Sequence, residues 1–575
     1  MKTIVLGTSA VVAASIALIA CGGGDDGPVG PVRLSCAVAA SQTASAPLAG
    51  TTLRITSAVA QAASGPTPSH CLVEGAMNER TSAVDGTPYA IKFRMRLPDE
   101  WNRKFFMPGG GGSNGVLGDA TGAITGFTSA LARGYAVVVT DSGHDNAVNS
   151  DPAAGGASAF GRDPIARLDF GYRSYDYVAR IGKQLATTYY GEQPAHSYFM
   201  GCSEGGREAM LVTQRFPNHF DGVVAGCPAM STPIVGAYSS TLAQTFAPLA
   251  IAAGAVEPGG RPLVNKVYTD QDVQLIATAI LAACDSGDGV LDGMVQNIAA
   301  CNDAVVLPQL AAITCTGAKT AACVTAEQVT ALRTTFAGPK TSSGAQIYPG
   351  MAWDPGIGGL NGSVFNQGWR SWWMGTYNSP SNDSILMTLR APQHSMVYTT
   401  PPVPLTVAQN FDFELNFDRD EIFANANRTT PVYTTSAVEF GMANSTNLTS
   451  YRLRGGKLIV YNGMSDPAVS SNEVINWWTN VNTNEGGRAS DFVRLFMVPG
   501  MNHGSGGPAT DRFDMLTALE AWVERGQAPA SILATATSPG YFGAASRTRP
   551  LCPYPQYAHY NGSGDINEAS NFACR

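Results

Sequence analysis

The sequence predicts an α/β fold in which one large insertion divides a single sheet, and three observations carry that prediction. Strand and helix patterns alternate between residues 90 and 225, as in a sheet with right-handed crossover helices. Residues 135–140 are largely apolar and β-branched, which is typical of a strand buried on both faces. The alternation stops near residue 230 and returns only after 450. We therefore predict one sheet domain in two parts, 36–229 and 451–575, around an inserted lid domain at 230–450.

The spacing of apolar side chains predicts the individual elements. Residues 90–97 alternate apolar and charged side chains, as in a half-buried strand, and a second strand follows at 104–107. Within 176–190, Val178, Ile181 and Leu185 recur at helical spacing. The remaining predicted elements are strands at 197–200, 222–225, 457–461 and 493–498 and helices at 206–216 and 271–284.

The composition limits the possible functions of the chain, and the N-terminus indicates where the protein is located. The 575 residues are 44% apolar, only 14% charged, and carry a net charge of −8 with no basic cluster, which excludes nucleic acid as a partner. An apolar run after Lys2 predicts a signal peptide over 1–20, with Cys21 as the lipidated first residue and a flexible tether at 21–35. A plain secretory signal fits the same run. Either interpretation predicts an exported protein, periplasmic or extracellular. Lipidation of Cys21 additionally predicts a lipid anchor in the outer membrane as the membrane attachment.

Eleven cysteines indicate an oxidising compartment. Their spacing suggests four local disulfides, although sequence alone does not prove connectivity. The suggested pairs are Cys36 with Cys71, Cys284 with Cys301, Cys315 with Cys323, and Cys552 with Cys574. Cys202 and Cys227 are then left over.

The stretch around Ser203 carries the candidate chemistry. Gly201-x-Ser203-x-Gly205 stands between a predicted strand and a predicted helix, which is the pattern of a nucleophile elbow. Glycines permit a sharp turn that exposes the serine at the helix N-terminus, where N–H groups can stabilise negative charge. An ordinary glycine turn before a helix would have the same sequence pattern.

A serine nucleophile needs a base and a carboxylate, which in chains with such an elbow follow in the order serine, acid, histidine. Of the seven histidines, His503 follows a predicted strand through a short loop, and Asp466 follows the preceding strand in the same way. Because the carboxyl ends of parallel strands meet at one edge of a sheet, we expect both side chains beside Ser203. Taken singly, each could be an ordinary loop residue.

Two further loops suggest polar sites. The four glycines at 109–112 directly follow a strand, so their N–H groups could approach a ligand, and with the N–H of Glu204 could hold an oxyanion. Asp285, Asp288 and Asp292 lie among glycines in a pattern that suits a hard cation, best Ca²⁺, in a structural role. A slack glycine loop and a metal-free Asp/Gly turn are the respective alternatives. No organic cofactor is needed.

With these residues in view, the chain resembles the tannase/feruloyl-esterase family of α/β hydrolases. The similarity runs from Cys71 to Cys574 and is carried by the segments 201–208, 368–373, 463–466, 499–503 and 506–508. The resemblance implies an α/β-hydrolase fold with a large inserted lid domain. It also implies a serine carboxylic-ester hydrolase that cleaves small aromatic acyl esters, terephthalate monoesters among them. The alternatives are a feruloyl esterase or tannase acting on plant phenolic esters, and a non-catalytic surface lipoprotein that binds aromatic ligands.

The resemblance also assigns roles to individual residues. It implies a catalytic triad of Ser203, Asp466 and His503, with Gly112 and Glu204 as oxyanion donors. It implies a pocket under the lid in which Trp372 forms one wall and Arg390 is the candidate for holding a substrate carboxylate. The implied calcium ligands are the side chains of Asp285, Asp288 and Asp292 and the carbonyls of Val290 and Met294.

One departure from the family pattern concerns the nucleophile. In the family, the cysteine before the serine forms a disulfide with the residue after the histidine, and here that residue is Gly504. We therefore expect a free thiol at Cys202 and a less tightly held Ser203–His503 pair. A Cys202–Cys227 disulfide is the alternative outcome.

Overall fold

A computed structural model of the chain describes residues 33–148, 155–358, 368–403, 410–418 and 425–575. The predicted signal peptide, Cys21 and the tether up to residue 32 lie outside the described residues. The last residues of the predicted tether already pack on the domain, because the Leu34 N–H donates to the Tyr189 carbonyl at 3.0 Å. None of the helices in the described ranges combines the length and apolarity required to span a membrane.

Nine strands form the central sheet, in the order β1-β2-β3-β5-β4-β6-β7-β8-β9. The first three strands and β5 pair antiparallel, and β5-β4-β6-β7-β8-β9 pair parallel. The strands are β1 Leu53–Gln61, β2 His70–Thr81, β3 Pro88–Pro98, β4 Lys104–Pro108, β5 Ala136–Thr140, β6 His196–Cys202, β7 Gly222–Gly226, β8 Lys457–Gly463 and β9 Val493–Val498. Two small hairpins near the C-terminus pair Ile532–Thr535 with Thr548–Leu551 and Ala558–Tyr560 with Phe572–Cys574.

Helices cover both faces of the parallel part of the sheet. The longer ones are α1 Cys36–Ala44, α2 Ser174–Tyr190, α3 Glu204–Arg215, α4 Thr232–Ala252, α5 Asp270–Cys284, α6 Asp303–Ala312, α7 Ala326–Ala337, α8 Ser471–Asn484 and α9 Met515–Arg525. Short helices occupy Pro164–Leu168, Ala391–Gln393, Phe411–Glu414, Ala437–Gly441 and Thr449–Leu453. The predicted strands and helices are therefore all present, with ends within a few residues of the predicted ones.

Successive strand residues enter opposite hydrophobic cores, as the two-residue period of a strand requires. Phe105, Phe199 and Leu458 belong to the core on one face, and their neighbours Phe106, Tyr198 and Ile459 belong to the core on the other. This burial on both faces explains why these strands read as nearly continuous apolar runs.

Residues 227–456, here called the insert, leave the sheet after β7 and return to it at β8. Because β7 and β8 are hydrogen-bonded neighbours, the insert adds no strand to the main sheet. It stands above the carboxyl ends of the parallel strands, since its Trp369 and Trp373 indoles donate to the Ser465 and Pro467 carbonyls in the loop after β8. The insert therefore lies, along the chain, between two parts that contribute strands to the same sheet.

Candidate active site

Ser203 sits in a sharp turn between β6 and α3. Its φ of +65° and ψ of −120° form a strained conformation that non-glycine residues rarely adopt. A Cβ on Gly201 would lie 2.5 Å from the Gly205 backbone, and a Cβ on Gly205 would lie 2.6 Å from the Gly110 carbonyl. The glycines are therefore required by close backbone approach, and the predicted elbow is present.

The elbow also rests on the neighbouring strand. The Ser203 N–H donates to the carbonyls of Gly226 and Cys227, both at 3.1 Å, at the end of β7. Cys202 and Cys227 are joined by a disulfide with a Cα–Cα distance of 5.2 Å. The expectation of a free thiol at Cys202 was therefore wrong, because the pairing of β6 with β7 brings the two leftover cysteines together. The four disulfides suggested by spacing are also present.

Gly504 stands where the resemblance implies a cysteine bonded to Cys202. The missing side chain leaves no empty space at this position. A Cβ at this position would lie 2.7 Å from the Cys202 sulfur and 3.4 Å from the Cys227 sulfur. The disulfide therefore occupies the space that a side chain at position 504 would need. The loop that carries His503 packs directly on it.

The three predicted triad side chains converge. His503 Nε2 lies 2.8 Å from Ser203 Oγ, and His503 Nδ1 lies 2.9 and 3.0 Å from the two carboxylate oxygens of Asp466. Asp466 follows β8 and His503 follows β9, so the parallel strands deliver both loops to the elbow. The arrangement can pass a proton from the serine hydroxyl to an imidazole whose other nitrogen is held by a carboxylate.

The Asp466 carboxylate is 1% exposed, so its charge needs internal partners. Besides the imidazole, the N–H groups of Ala468 and Val469 donate to its Oδ1 at 2.8 and 3.0 Å. Trp372 packs edge-on against the imidazole, with ring centroids 4.7 Å apart. These contacts hold the acid and base in one geometry.

The glycine loop at 109–112 is fixed to α3 by polar contacts. Glu208 accepts from the Gly110 N–H at 2.9 Å and from the Asn114 amide at 2.8 Å, while Asn114 accepts from the Gly111 N–H at 2.8 Å. The Gly205 N–H donates to the Gly110 carbonyl at 3.1 Å. The loop is therefore not slack, and it lies beside the turn that carries Ser203. Its assignment as an oxyanion donor through Gly112 stays a prediction.

Glu208 was not singled out from the sequence. Its carboxyl is fully buried and its pKa is raised to about 7 by burial and by the nearby Glu204 carboxylate. The available signal was a run of charged side chains, Glu204, Arg207 and Glu208, in the first turns of a helix that must pack on the sheet. Glu204 itself pairs with the buried Arg207, whose Nε donates to it at 2.8 Å.

The two predicted substrate-binding residues lie in π-helical turns of the insert, Arg370–Met374 and Leu386–Arg390. Arg390 is 7% exposed, donates to Gln393 at 3.3 Å, and its Nε has no hydrogen-bond partner among the described residues. Gln393 in turn donates to the Gly112 carbonyl at 3.4 Å. Arg390 is thus one side chain away from the glycine loop, on the side covered by the insert.

The predicted calcium loop follows α5. Asp285 accepts from the Gly293 N–H at 3.1 Å, and Asp292 accepts from the Met294 N–H at 3.0 Å and from the guanidinium of Arg549. Burial and the charge of Asp292 raise the pKa of Asp288 to about 7. Within the described ranges, Asp285 and Asp288 form no ion pair, so two of the three carboxylates lack a compensating cation. The half-buried Val290 lies between Asp288 and Asp292 in the same loop.

A second group of potential metal ligands lies at the triad. Cys227, Asp466 and His503 offer ligand atoms within 4.8 Å of one another, whereas the three aspartates of the loop after α5 do not. Because Cys227 is in a disulfide, it offers no thiolate, and the other two residues are hydrogen-bonded to each other. We therefore assign no metal to the triad.

Comparison with known proteins places this site in a family. A family model described as tannase and feruloyl esterase matches residues 71–575. The chain belongs to the tannase and feruloyl esterase family. It is 48% identical over 532 residues to mono(2-hydroxyethyl) terephthalate hydrolase from Piscinibacter sakaiensis, covering 90% of this chain and 86% of that protein. As a member of this family, the chain is a carboxylic-ester hydrolase.

Solved structures of family members share the fold. Feruloyl esterase B from Aspergillus oryzae superposes with a TM-score of 0.69 at 22% identity, over 94% of this chain and all of that one. The tannin acyl hydrolase from Aspergillus niger gives 0.64 at 20% identity, over 95% and 96% of the two chains. The predicted α/β-hydrolase fold is therefore confirmed.

Proposed function

We propose that Ser203, His503 and Asp466 hydrolyse small aromatic acyl esters through an acyl-enzyme, and that mono(2-hydroxyethyl) terephthalate is among the substrates. The observation that carries this proposal is the 2.8 Å contact between His503 Nε2 and Ser203 Oγ, with Asp466 on the opposite ring nitrogen. The 48% identity to an enzyme named for that monoester supports the substrate. The products would be terephthalate and ethylene glycol.

The geometry supports a two-step mechanism. Ser203 Oγ attacks the ester carbonyl while its proton moves to His503 Nε2, and Asp466 stabilises the imidazolium. The oxyanion of the tetrahedral intermediate accepts hydrogen bonds from the N–H groups of Glu204 and Gly112. The alcohol leaves with the proton from His503, which next deprotonates the water that attacks the acyl-enzyme. Release of the acid regenerates the serine hydroxyl.

The nucleophile is tested by Ser203→Ala. We expect hydrolysis of 4-nitrophenyl acetate and of the terephthalate monoester to fall at least about 1000-fold, since removing a triad member has effects of this size or larger. Ser450→Ala, an exposed serine near the end of the insert, is the matched control and should leave kcat unchanged. Ordinary turnover by Ser203→Ala would refute the mechanism. An organophosphonate that fails to label Ser203 would favour the non-catalytic aromatic-binding alternative.

The substrate class is tested by comparing kcat/KM for mono(2-hydroxyethyl) terephthalate, methyl ferulate and methyl gallate. The charge of Arg390 beside the insert-covered side of the site favours an acyl group with a free carboxylate. Arg390→Ala should raise KM for the terephthalate monoester about 10-fold or more and leave KM for its neutral methyl ester nearly unchanged, because a charge-assisted hydrogen bond is lost only with the acid. Equal effects on both esters, with a preference for ferulate or gallate, would assign the enzyme to plant phenolic esters.

We propose that the loop after α5 binds Ca²⁺ in a structural role through Asp285, Asp288 and Asp292 and the carbonyls of Val290 and Met294. The two carboxylates without a counter-charge support this, because a bound cation would stabilise their ionised forms. EDTA should lower Tm by several degrees, and Ca²⁺ should restore it. Asp288→Asn should have a lower Tm than wild type in Ca²⁺ and no response to EDTA. An equal response of variant and wild type to EDTA would exclude this site.

We also propose that the protein is exported and anchored to the outer membrane through a lipid on Cys21. The five disulfides support an oxidising compartment. Mass spectrometry of the mature N-terminus tests the proposal: a diacylglyceryl-modified Cys21 is expected, and an unmodified terminus would indicate a plain secretory signal.

A further inference from the structure

Asp354 of the insert contacts both loops that carry the catalytic acid and base. Its Oδ1 accepts from the Ser465 hydroxyl at 2.6 Å, and its Oδ2 accepts from the Gly500 N–H at 3.1 Å. Ser465 directly precedes Asp466 after β8, and Gly500 lies three residues before His503 after β9. A single carboxylate therefore bridges the acid loop and the histidine loop.

The backbone of the insert fits tightly between the same two loops. A Cβ on Gly356 would lie 2.5 Å from both the Gly500 carbonyl and the Ser465 Cβ, so no side chain is accommodated there. The Gly356 N–H donates to Asp354 Oδ1 at 2.9 Å. In the orientation that satisfies its hydrogen bonds, the Asn502 amide nitrogen lies 3.1 Å from the Gly356 carbonyl and 3.2 Å from the Ser465 carbonyl. Trp369 donates to that same Ser465 carbonyl at 2.9 Å.

Burying the Asp354 carboxylate costs free energy, so the hydrogen bonds that compensate for this cost indicate what the residue does. Its side chain is 2% exposed, forms no ion pair among the described residues, and has a pKa raised by burial. A buried carboxylate without a counter-charge destabilises the fold unless it is fully hydrogen-bonded. Here both oxygens are used, and every partner belongs either to a triad loop or to its own turn.

We propose that Asp354 is a positioning residue that sets the separation of Asp466 and His503, so the insert helps to build the catalytic apparatus as well as covering it. The inference rests on the proposed roles of Ser203, Asp466 and His503. Displacing either loop by a fraction of an ångström would disturb the alignment of the imidazole with both partners, and reaction rates are steeply sensitive to such alignment.

Asp354→Asn tests the proposal with almost no change in shape. The amide can keep one oxygen on Ser465, but its nitrogen then faces the Gly500 N–H, donor against donor, and the histidine loop loses its anchor. We expect kcat for 4-nitrophenyl acetate to fall about 10- to 100-fold with KM changed less than about twofold. The matched control is Asp412→Asn, another buried carboxyl of the insert, which accepts from Ser240 at 2.9 Å. Its kcat should equal that of wild type.

The outcomes separate this inference from the function on which it rests. An unchanged kcat for Asp354→Asn, an effect confined to KM, or an equal loss in Asp412→Asn would overturn the positioning role. If Asp354→Asn does not fold, Ser465→Ala removes one donor with little disturbance and should lower kcat about 3- to 10-fold, while an unchanged kcat would overturn the inference. Inactive wild type, or activity that survives Ser203→Ala, would instead overturn the proposed function.

Discussion

The disulfide beside the nucleophile offers the sharpest test of how the active site is held. We consider the double substitution Cys202→Ala with Cys227→Ala, which removes the link between β6 and β7. Cys227 is fully buried, and its carbonyl accepts from the Ser203 N–H. The change should therefore act on both the stability of the fold and the position of the serine.

The expected loss of stability follows from the loop that the disulfide closes. With a separation of 25 residues, the chain-entropy model assigns this disulfide about 3.5 kcal/mol of unfolding free energy. The Cys315–Cys323 disulfide of the insert, with a separation of 8, is assigned about 2.5 kcal/mol by the same model. The double alanine variant of the second pair is thus a matched control of similar cost.

Urea unfolding followed by tryptophan fluorescence, with kcat measured in parallel, separates the two effects. Both double variants should unfold at lower urea, but only the first should lower kcat, about 10-fold, because only it loosens the turn that carries Ser203. An unchanged kcat in the first variant, or equal kcat losses in both, would refute the idea that the disulfide positions the nucleophile. Stability equal to wild type would refute the chain-entropy estimate.

Three further predictions concern the glycine loop, a buried carboxyl group of the insert and the disulfide beside the elbow. Glu208→Gln and Asn114→Ala should each lower kcat about 10- to 100-fold with little change in KM, because they release the glycine loop beside the nucleophile; effects on KM alone would argue against that role. Asp412 has a pKa raised by burial to about 7, so its contribution to stability is present below about pH 4 and lost as pH rises through 7. Between pH 5 and pH 8, Asp412→Asn should therefore gain about 2.5 kcal/mol of unfolding free energy relative to wild type, and parallel pH–stability curves for variant and wild type would contradict this. Gly504→Cys combined with Cys227→Ala should form a new disulfide across the elbow, at some cost from the φ of +75° at that position; a free thiol found by mass spectrometry would show that the loop cannot close.

Much of the site was predictable because its signals are local. The glycines around Ser203, the strand before it and the helix after it are all encoded within about ten residues. Asp466 and His503 each follow their own strand, and parallel strands always present their carboxyl ends at one edge. Knowing the strands therefore placed both loops near the serine without knowing the distances. The four disulfides close at most a few dozen residues each, which spacing can suggest.

The sequence by itself thus determined the parallel strands of the sheet, the order of the candidate catalytic residues along the chain and the local disulfides, but it did not indicate the first two strands, β1 and β2. Only the tertiary structure decided that Cys202 pairs with Cys227, that Glu208 holds the glycine loop, and that Asp354 joins the two triad loops. Each of these depends on which strands are neighbours or on how the insert packs, and the partners lie up to about 150 residues apart. Local propensity carries no information on such pairs, because the free energy of a long-range contact depends on the surrounding fold.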